Sequence, residues 1–196
     1  MALKVGLCGT IGSGKSTVCS LFAQFGAPVY IADDRAKGLM SSSEELKSQI
    51  VAAFGEECYL GGELNRQFLA AQIFGSEDKR LKLNAIVHPA VCHDFCQWAE
   101  NQSGEYVIVE SAILFESGLS DVVDYTVAVV VEQSVAIERA MARDGANREA
   151  IVARMAVQKG ADELKAMSDY TIDNTTLESA EIQVAEVDRA LRDEIS

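Results

Sequence analysis

Five short runs of apolar, largely β-branched residues punctuate the chain: Leu3 to Cys8, Pro28 to Ile31, Tyr106 to Glu110, Tyr125 to Val131, and Tyr170 to Ile172. The runs at Val107–Val109 and Val127–Val131 are apolar almost without interruption, which predicts strands buried on both faces. The stretches between them place their apolar positions at helical spacing. Strands alternating with helices predict an α/β fold on a five-stranded parallel sheet.

Two connections are too long for simple crossovers. From Asp34 to about Glu100 the pattern is almost wholly helical, with glycine breaks at Gly55, Gly61 and Gly62. From about Ala136 to Met167 runs a second helical excursion, rich in arginine and lysine. Insertions at such places sit over the carboxyl ends of the strands, where open α/β sheets bind ligands. The final segment, Leu177 to Ile195, reads as an amphipathic, acidic helix.

The chain of 196 residues suits one well-buried core with insertions rather than two large independent domains. Lysine and arginine total 17 against 30 acids, a net charge of −13. That balance argues against general nucleic-acid binding, which needs a phosphate-neutralising basic surface. It does not exclude a phosphate ligand, because a few cations and main-chain N–H groups suffice locally. No apolar run approaches the roughly 18 residues of a membrane span. The five cysteines, Cys8, Cys19, Cys58, Cys92 and Cys96, lie within apolar patterns and read as reduced, mostly buried thiols. A cytoplasmic, soluble chain acting as a monomer is expected.

The strongest chemical signal is Gly9-Thr10-Ile11-Gly12-Ser13-Gly14-Lys15-Ser16, a complete G-x-x-x-x-G-K-[ST] loop. It follows one apolar run and opens a helical pattern, as such a loop requires. Glycines let successive N–H groups from Gly12 to Thr17 converge on phosphates, aided by the positive end of the helix. Lys15 is placed to reach the β- and γ-phosphates of a nucleoside triphosphate, and the Ser16 hydroxyl to coordinate Mg²⁺. Kinases, motor ATPases and GTPases all carry this loop. The N-K-x-D guanine motif of GTPases is missing from the sequence.

Phosphoryl transfer to an alcohol needs a carboxylate that orients the hydroxyl and accepts its proton. Asp33 and Asp34 fall just beyond the second apolar run. Spacing alone leaves open which of them serves, or whether both merely start a helix. Arg139 and Arg143 lie four apart on one helix face. They suit either a lid closing on ATP or a solvated face paired with Glu138 and Asp144. His88, Cys92 and Cys96 share a helix face too. Zinc usually takes four ligands from more than one element, and no second Cys/His cluster exists, so core packing is the better account.

Over nearly its whole length the chain resembles the bacterial dephospho-CoA kinases. The loop Gly9 to Thr17 matches their G-x-x-G-S-G-K-S/T, and Tyr30 to Lys37 aligns with their I-D-A-D-x-x-A-R. Gly62 to Arg66 resembles G-x-L-D-R, and Leu83 to Pro89 resembles L-N-x-I-x-H-P. Val109 to Glu116 parallels V-x-D-x-P-L-L-F-E. Arg139, Arg143-Asp144, Arg154 and Gln158 resemble the lid pattern, and Ser168 to Asn174 the closing A-D-Y-V-I-D-N.

Departures are Ile31 and Glu110 for aspartates, Ala112 for proline and Lys37 for arginine. The last keeps a charge but loses the planar fork suited to bidentate phosphate binding.

The resemblance implies a P-loop NTPase three-layer core over 1–33, 101–135 and 168–196. It also implies a helical dephospho-CoA-binding insertion over 34–100 and a helical lid over 136–167. It selects Asp33 as the base for the acceptor's ribose 3′-hydroxyl. Arg143 becomes an ATP contact and transition-state stabiliser beside Lys15, with Arg139 and Asn174 as further ATP contacts. Lys37, Arg66, His88 and Leu114 become acceptor contacts. The products would be CoA and ADP. A kinase acting on a nucleoside monophosphate, and a nucleotide-sensing switch without turnover, are the alternatives.

Overall fold

In the computed structural model, which describes residues 2–195, the first apolar run forms β1 (Leu3–Gly9), followed by α1 (Lys15–Gln24) and β2 (Val29–Ile31). Next come α2 (Ala32–Ser42), α3 (Glu44–Phe54), β3 (Tyr59–Leu60), β4 (Glu63–Leu64), α4 (Arg66–Ile73) and the long α5 (Glu77–Glu100). The chain closes with β5 (Tyr106–Glu110), β6 (Tyr125–Val130), α6 (Gln133–Asp144), α7 (Arg148–Met155), α8 (Ala161–Met167), β7 (Tyr170–Asp173) and α9 (Leu177–Asp193). Two compact units result: Ala32–Gln97, and the remainder, which carries the main sheet.

The main sheet is parallel, in the order β2-β5-β1-β6-β7. Alternation along each strand decides what lies on each face. Val5 and Leu7 of β1, Tyr106 and Ile108 of β5, and Val127 and Val129 of β6 join one core with Val18, Leu21 and Phe22 of α1 and Ala180, Val184, Val187 and Leu191 of α9. The intervening residues are buried as well, among them Val107, Val109, Ala128 and Val130. Both faces being covered explains the unbroken apolar runs. At Gly6 a Cβ would come within 2.7 Å of the Leu114 side chain, so glycine admits that side chain against β1.

The last helix is fastened by polar groups as well as by its apolar stripe. Tyr106 donates to Asp188 at 2.6 Å, and Arg192 donates to Asp188 from Nε and to the carbonyl of Phe25 from Nη2. At the other edge, Asp169 accepts from the amide and hydroxyl of Thr126, both at 2.8 Å, pinning β7 to the start of β6.

The Ala32–Gln97 unit has its own buried residues, including Leu46 and Ile50 of α3, Cys58, and Leu69 of α4. It also holds Leu83, Val87, Val91 and Phe95, spaced four apart along α5. Arg35 and Asp94 form a bidentate pair within it. One element departs from the helical reading. Tyr59–Leu60 and Glu63–Leu64 form an antiparallel hairpin. Its turn, Gly61-Gly62, has φ values of 59° and 89°, and a two-residue hairpin turn of this kind needs positive φ at both positions. Strands of two residues are too short to show a period, and only the glycine pair betrays them.

Candidate active site

The carboxyl end of β1 runs into a turn whose shape is fixed by close approaches. A Cβ at Gly9 would lie 2.5 Å from the carbonyl of Val129, and one at Gly12 would lie 2.0 Å from the carbonyl of Ala136. Gly14 has φ of 87° and serves as the N-cap of α1 with no side chain capping it. The first-turn amides of α1 are therefore left to an outside acceptor, and the helix end favours an anion. Within the turn, the Ser13 side chain is fully buried and its hydroxyl has no hydrogen-bond partner. A buried hydroxyl without a partner is costly. An oxyanion lying in the turn relieves that cost, so the residues present fit a polyphosphate.

Lys15 is half-buried at the start of α1. Its ammonium donates to the carbonyl of Gly9 at 3.0 Å and lies 3.6 Å from Glu110. Glu110 ends β5, in register with Leu7 on one side and Ile31 on the other. It thus sits at the carboxyl edge of the sheet, beside the loop's lysine. The two thiols nearby are inert. Burial pushes Cys8 up to about 11 and Cys19 up to about 12, so neither is a thiolate nucleophile.

Three further segments brace the loop. Asn174, which follows β7 and is buried, donates from Nδ2 to the carbonyl of Ser13 at 2.8 Å. Arg139 of α6 donates to the carbonyls of Asn174 and Thr175 at 2.8 and 3.1 Å. Gln158 accepts from the amide of Ile11 at 3.1 Å, and Ile11 packs on Ile137, Ala140 and Ile151 of α6 and α7. One turn beyond Arg139, Arg143 is exposed and bonded to Asp144.

The residues singled out in the sequence thus fall into distinct places. Gly12, Ser13, Gly14, Lys15, Ser16, Thr17, Arg139 and Asn174 gather at the carboxyl end of β1, with Ser16 exposed on the first turn of α1. Leu114 has a side chain 1% exposed and packed at Gly6, which offers a ligand no surface. Its place in the core accounts for it. Asp33, Lys37, Arg66 and His88 lie in the Ala32–Gln97 unit. Asp33 is exposed in the first turn of α2, Lys37 is bonded to Asp34 at 2.8 Å, and Arg66 begins α4. His88 is half-buried in α5, and burial lowers its pKa from 6.5.

Among the described residues no group of three or more histidines, cysteines and acids is placed to hold a metal ion. Cys92 and Cys96 are only half-buried, unlike the other three cysteines. Among the described residues no helix is long and apolar enough to cross a membrane.

The contact of Lys15 with Glu110 was missed by sequence reasoning, which saw Glu110 only as a replacement for aspartate. An acid closing an apolar run was the available signal. Its meaning depends on β5 lying next to β1, and spacing along the chain does not give strand order.

Comparison with known proteins bears on this geometry. The family model described as dephospho-CoA kinase matches residues 3–179. A dephospho-CoA kinase from Porphyromonas gingivalis is 40% identical, over 88% of this chain and 86% of its own length. A solved Thermus thermophilus protein superposes with a TM-score of 0.82 at 29% identity, covering 96% of this chain and 97% of its own. The dephospho-CoA kinase from Campylobacter jejuni shares the fold, with a TM-score of 0.70 at 20% identity over 96% of each chain. A nucleoside monophosphate kinase is not favoured by these matches. With the glycine-rich turn in place at the end of β1 and the family model running over most of its length, the chain belongs to the dephospho-CoA kinase family.

Proposed function

We propose that this chain transfers the γ-phosphate of ATP to the ribose 3′-hydroxyl of dephospho-CoA, giving CoA and ADP. The observation that carries the reading is the turn from Gly9 to Ser16, with its partnerless Ser13 hydroxyl and uncapped amides, in a chain of this family. ATP lies on that turn. Lys15 exchanges its contact with Glu110 for the β- and γ-phosphates and neutralises charge on the transferred group. Mg²⁺ would be held by the Ser16 hydroxyl and would supply charge neutralisation on the phosphates.

Asp33 accepts the proton of the attacking hydroxyl. It is the aligned carboxylate that remains once Ile31 stands in the other place, so the role rests on it alone. Lys37, Arg66 and His88 contact the acceptor, and the stretch 34–100 is its binding region. Segment 136–167 is the lid, whose Arg143 stabilises the transferred phosphoryl group while Arg139 and Asn174 hold ATP. The enzyme acts as a monomer in the cytoplasm.

Incubating the protein with ATP, Mg²⁺ and dephospho-CoA and weighing the product tests this directly. CoA together with ADP is expected. Release of ADP with a nucleoside monophosphate but not with dephospho-CoA overturns the acceptor assignment.

A further inference from the structure

Asp144 closes α6, and two guanidiniums meet on its carboxylate. Oδ1 accepts from Arg143 Nε at 2.7 Å; Oδ2 accepts from Arg143 Nη2 at 3.2 Å and from Arg154 Nη1 at 2.7 Å. Arg143 belongs to the last turn of α6 and Arg154 to the last turn of α7. Between the helices the chain reverses at Gly145, with φ of 64°, and α7 restarts on the Asn147 cap. Ile137, Ala140 and Ile151 form the small core these helices share. The carboxylate therefore joins two arginines that are distant in sequence but carried on one packed pair of helices.

Stability is a poor explanation for this cluster. The arginine side chains are 61% and 52% exposed, and ion pairs in water contribute little. The geometry does something else. Arg143 spends its Nε and Nη2 on Asp144, which leaves Nη1 for a ligand. Arg154 spends Nη1 and keeps Nε and Nη2. Each guanidinium is held in one orientation while retaining donors in the planar fork that suits phosphate oxygens. The hydrogen bonds from Arg143 and then Arg154 hold the Asp144 carboxyl down at about 2, so it stays anionic at any working pH.

We propose that Asp144 is a positioning residue for phosphoryl transfer: by bridging Arg143 and Arg154 it presents both guanidiniums to the triphosphate in a fixed orientation. It acts through them and does not itself touch substrate. The inference rests on the kinase reading above and on residues 136–167 serving as its lid. Fixing the arginines beforehand spares the transition state the task of ordering them, and a charged group displaced by about 1 Å is enough to slow chemistry about 100-fold.

The test is steady-state kinetics with ATP, Mg²⁺ and dephospho-CoA on the wild type and on Asp144→Ala, Asp144→Glu, Arg143→Ala and the Arg143→Ala/Asp144→Ala double variant. Calorimetric ATP binding and melting curves accompany them. Asp144→Ala is expected to lower kcat by about 10- to 100-fold while the KM for ATP moves less than about threefold. Asp144→Glu should recover most of the lost kcat. Adding Asp144→Ala to Arg143→Ala should cost less than it does in the wild type, since only the positioning of Arg154 is then left to lose.

A wild-type kcat in Asp144→Ala beside a slow Arg143→Ala overturns the positioning role and leaves the kinase reading intact. Equal losses in the alanine and glutamate variants, tracking a fall in melting temperature, overturn it in favour of a structural role. Failure of the wild-type protein to make CoA overturns the parent reading, and this one with it.

Discussion

The side-chain amide of Asn174 lies 2.8 Å from the carbonyl oxygen of Ser13, joining the loop after β7 to the phosphate-binding turn across 161 residues. The same amide would lie 2.0 Å from a Cβ at Gly14, so it backs the turn and sets its width. Asn174→Ala removes the brace and leaves a buried carbonyl without its donor. ATP affinity is expected to fall about 10-fold, the usual consequence of losing a hydrogen bond of about 1.4 kcal/mol. Asn174→Asp should be worse, because it sets a carboxylate oxygen against carbonyl oxygens. Isothermal titration with ATP measures both.

Asp33 carries the chemistry in the proposed mechanism, whereas Lys15 serves both binding and chemistry. Asp33→Asn is expected to lower kcat by about 10²- to 10⁴-fold while ATP binding stays near normal, the signature of a lost general base. Lys15→Met should lower kcat by about 10²- to 10³-fold and weaken ATP as well. Single-turnover transfer, read beside equilibrium nucleotide binding, separates the two. An Asp33→Asn enzyme with nearly full kcat would remove the base from the mechanism.

Tyr106 and Asp188 form a buried pair unrelated to the chemistry, with the carboxylate also bonded to Arg192. Tyr106→Phe keeps the ring packed on Phe22 but withdraws the hydroxyl from a carboxylate that is 7% exposed. A loss of about 1–3 kcal/mol in urea denaturation is expected, with kcat unchanged. A stability change below about 0.3 kcal/mol would mean that Arg192 alone satisfies Asp188.

His88 gives the protein a pH dependence of known sign. Burial depresses its pKa in the folded chain below 6.5, so the unfolded chain binds the proton more readily. Its contribution to stability is complete above pH 6.5 and is lost as pH falls through the folded value. The melting temperature should therefore drop between pH 7.5 and 5.5. That drop should shrink in His88→Asn, which has nothing to protonate. An identical drop in both proteins would move the effect to another group.

Much of this molecule was legible beforehand because its signals are local. The sheet strands announced themselves as β-branched runs such as Val107-Ile108-Val109, and the loop at Gly9 to Ser16 carries its own flanks. What stayed hidden depends on neighbours in space. Glu110 gains its meaning from the placement of β5 beside β1, and Leu114 its place in the core from the missing side chain at Gly6. Asp144 looked like a partner neutralising one nearby arginine until the turn at Gly145 brought Arg154 to it. The Tyr59–Leu64 hairpin was overlooked because two residues cannot display an alternation.

β1 is the middle strand of the sheet, yet both of its partners, β5 and β6, come from beyond residue 100. On the ribosome the strand that carries the glycine-rich loop therefore emerges well before either neighbour and waits. At translation rates of about 5–20 residues per second it spends roughly 5–20 s with both edges unsatisfied. Residues 32–97 suffer no such delay, since their buried neighbours arrive within one stretch of chain. The capacity to grip ATP thus waits on strands made about 100 residues after the ones that confer it.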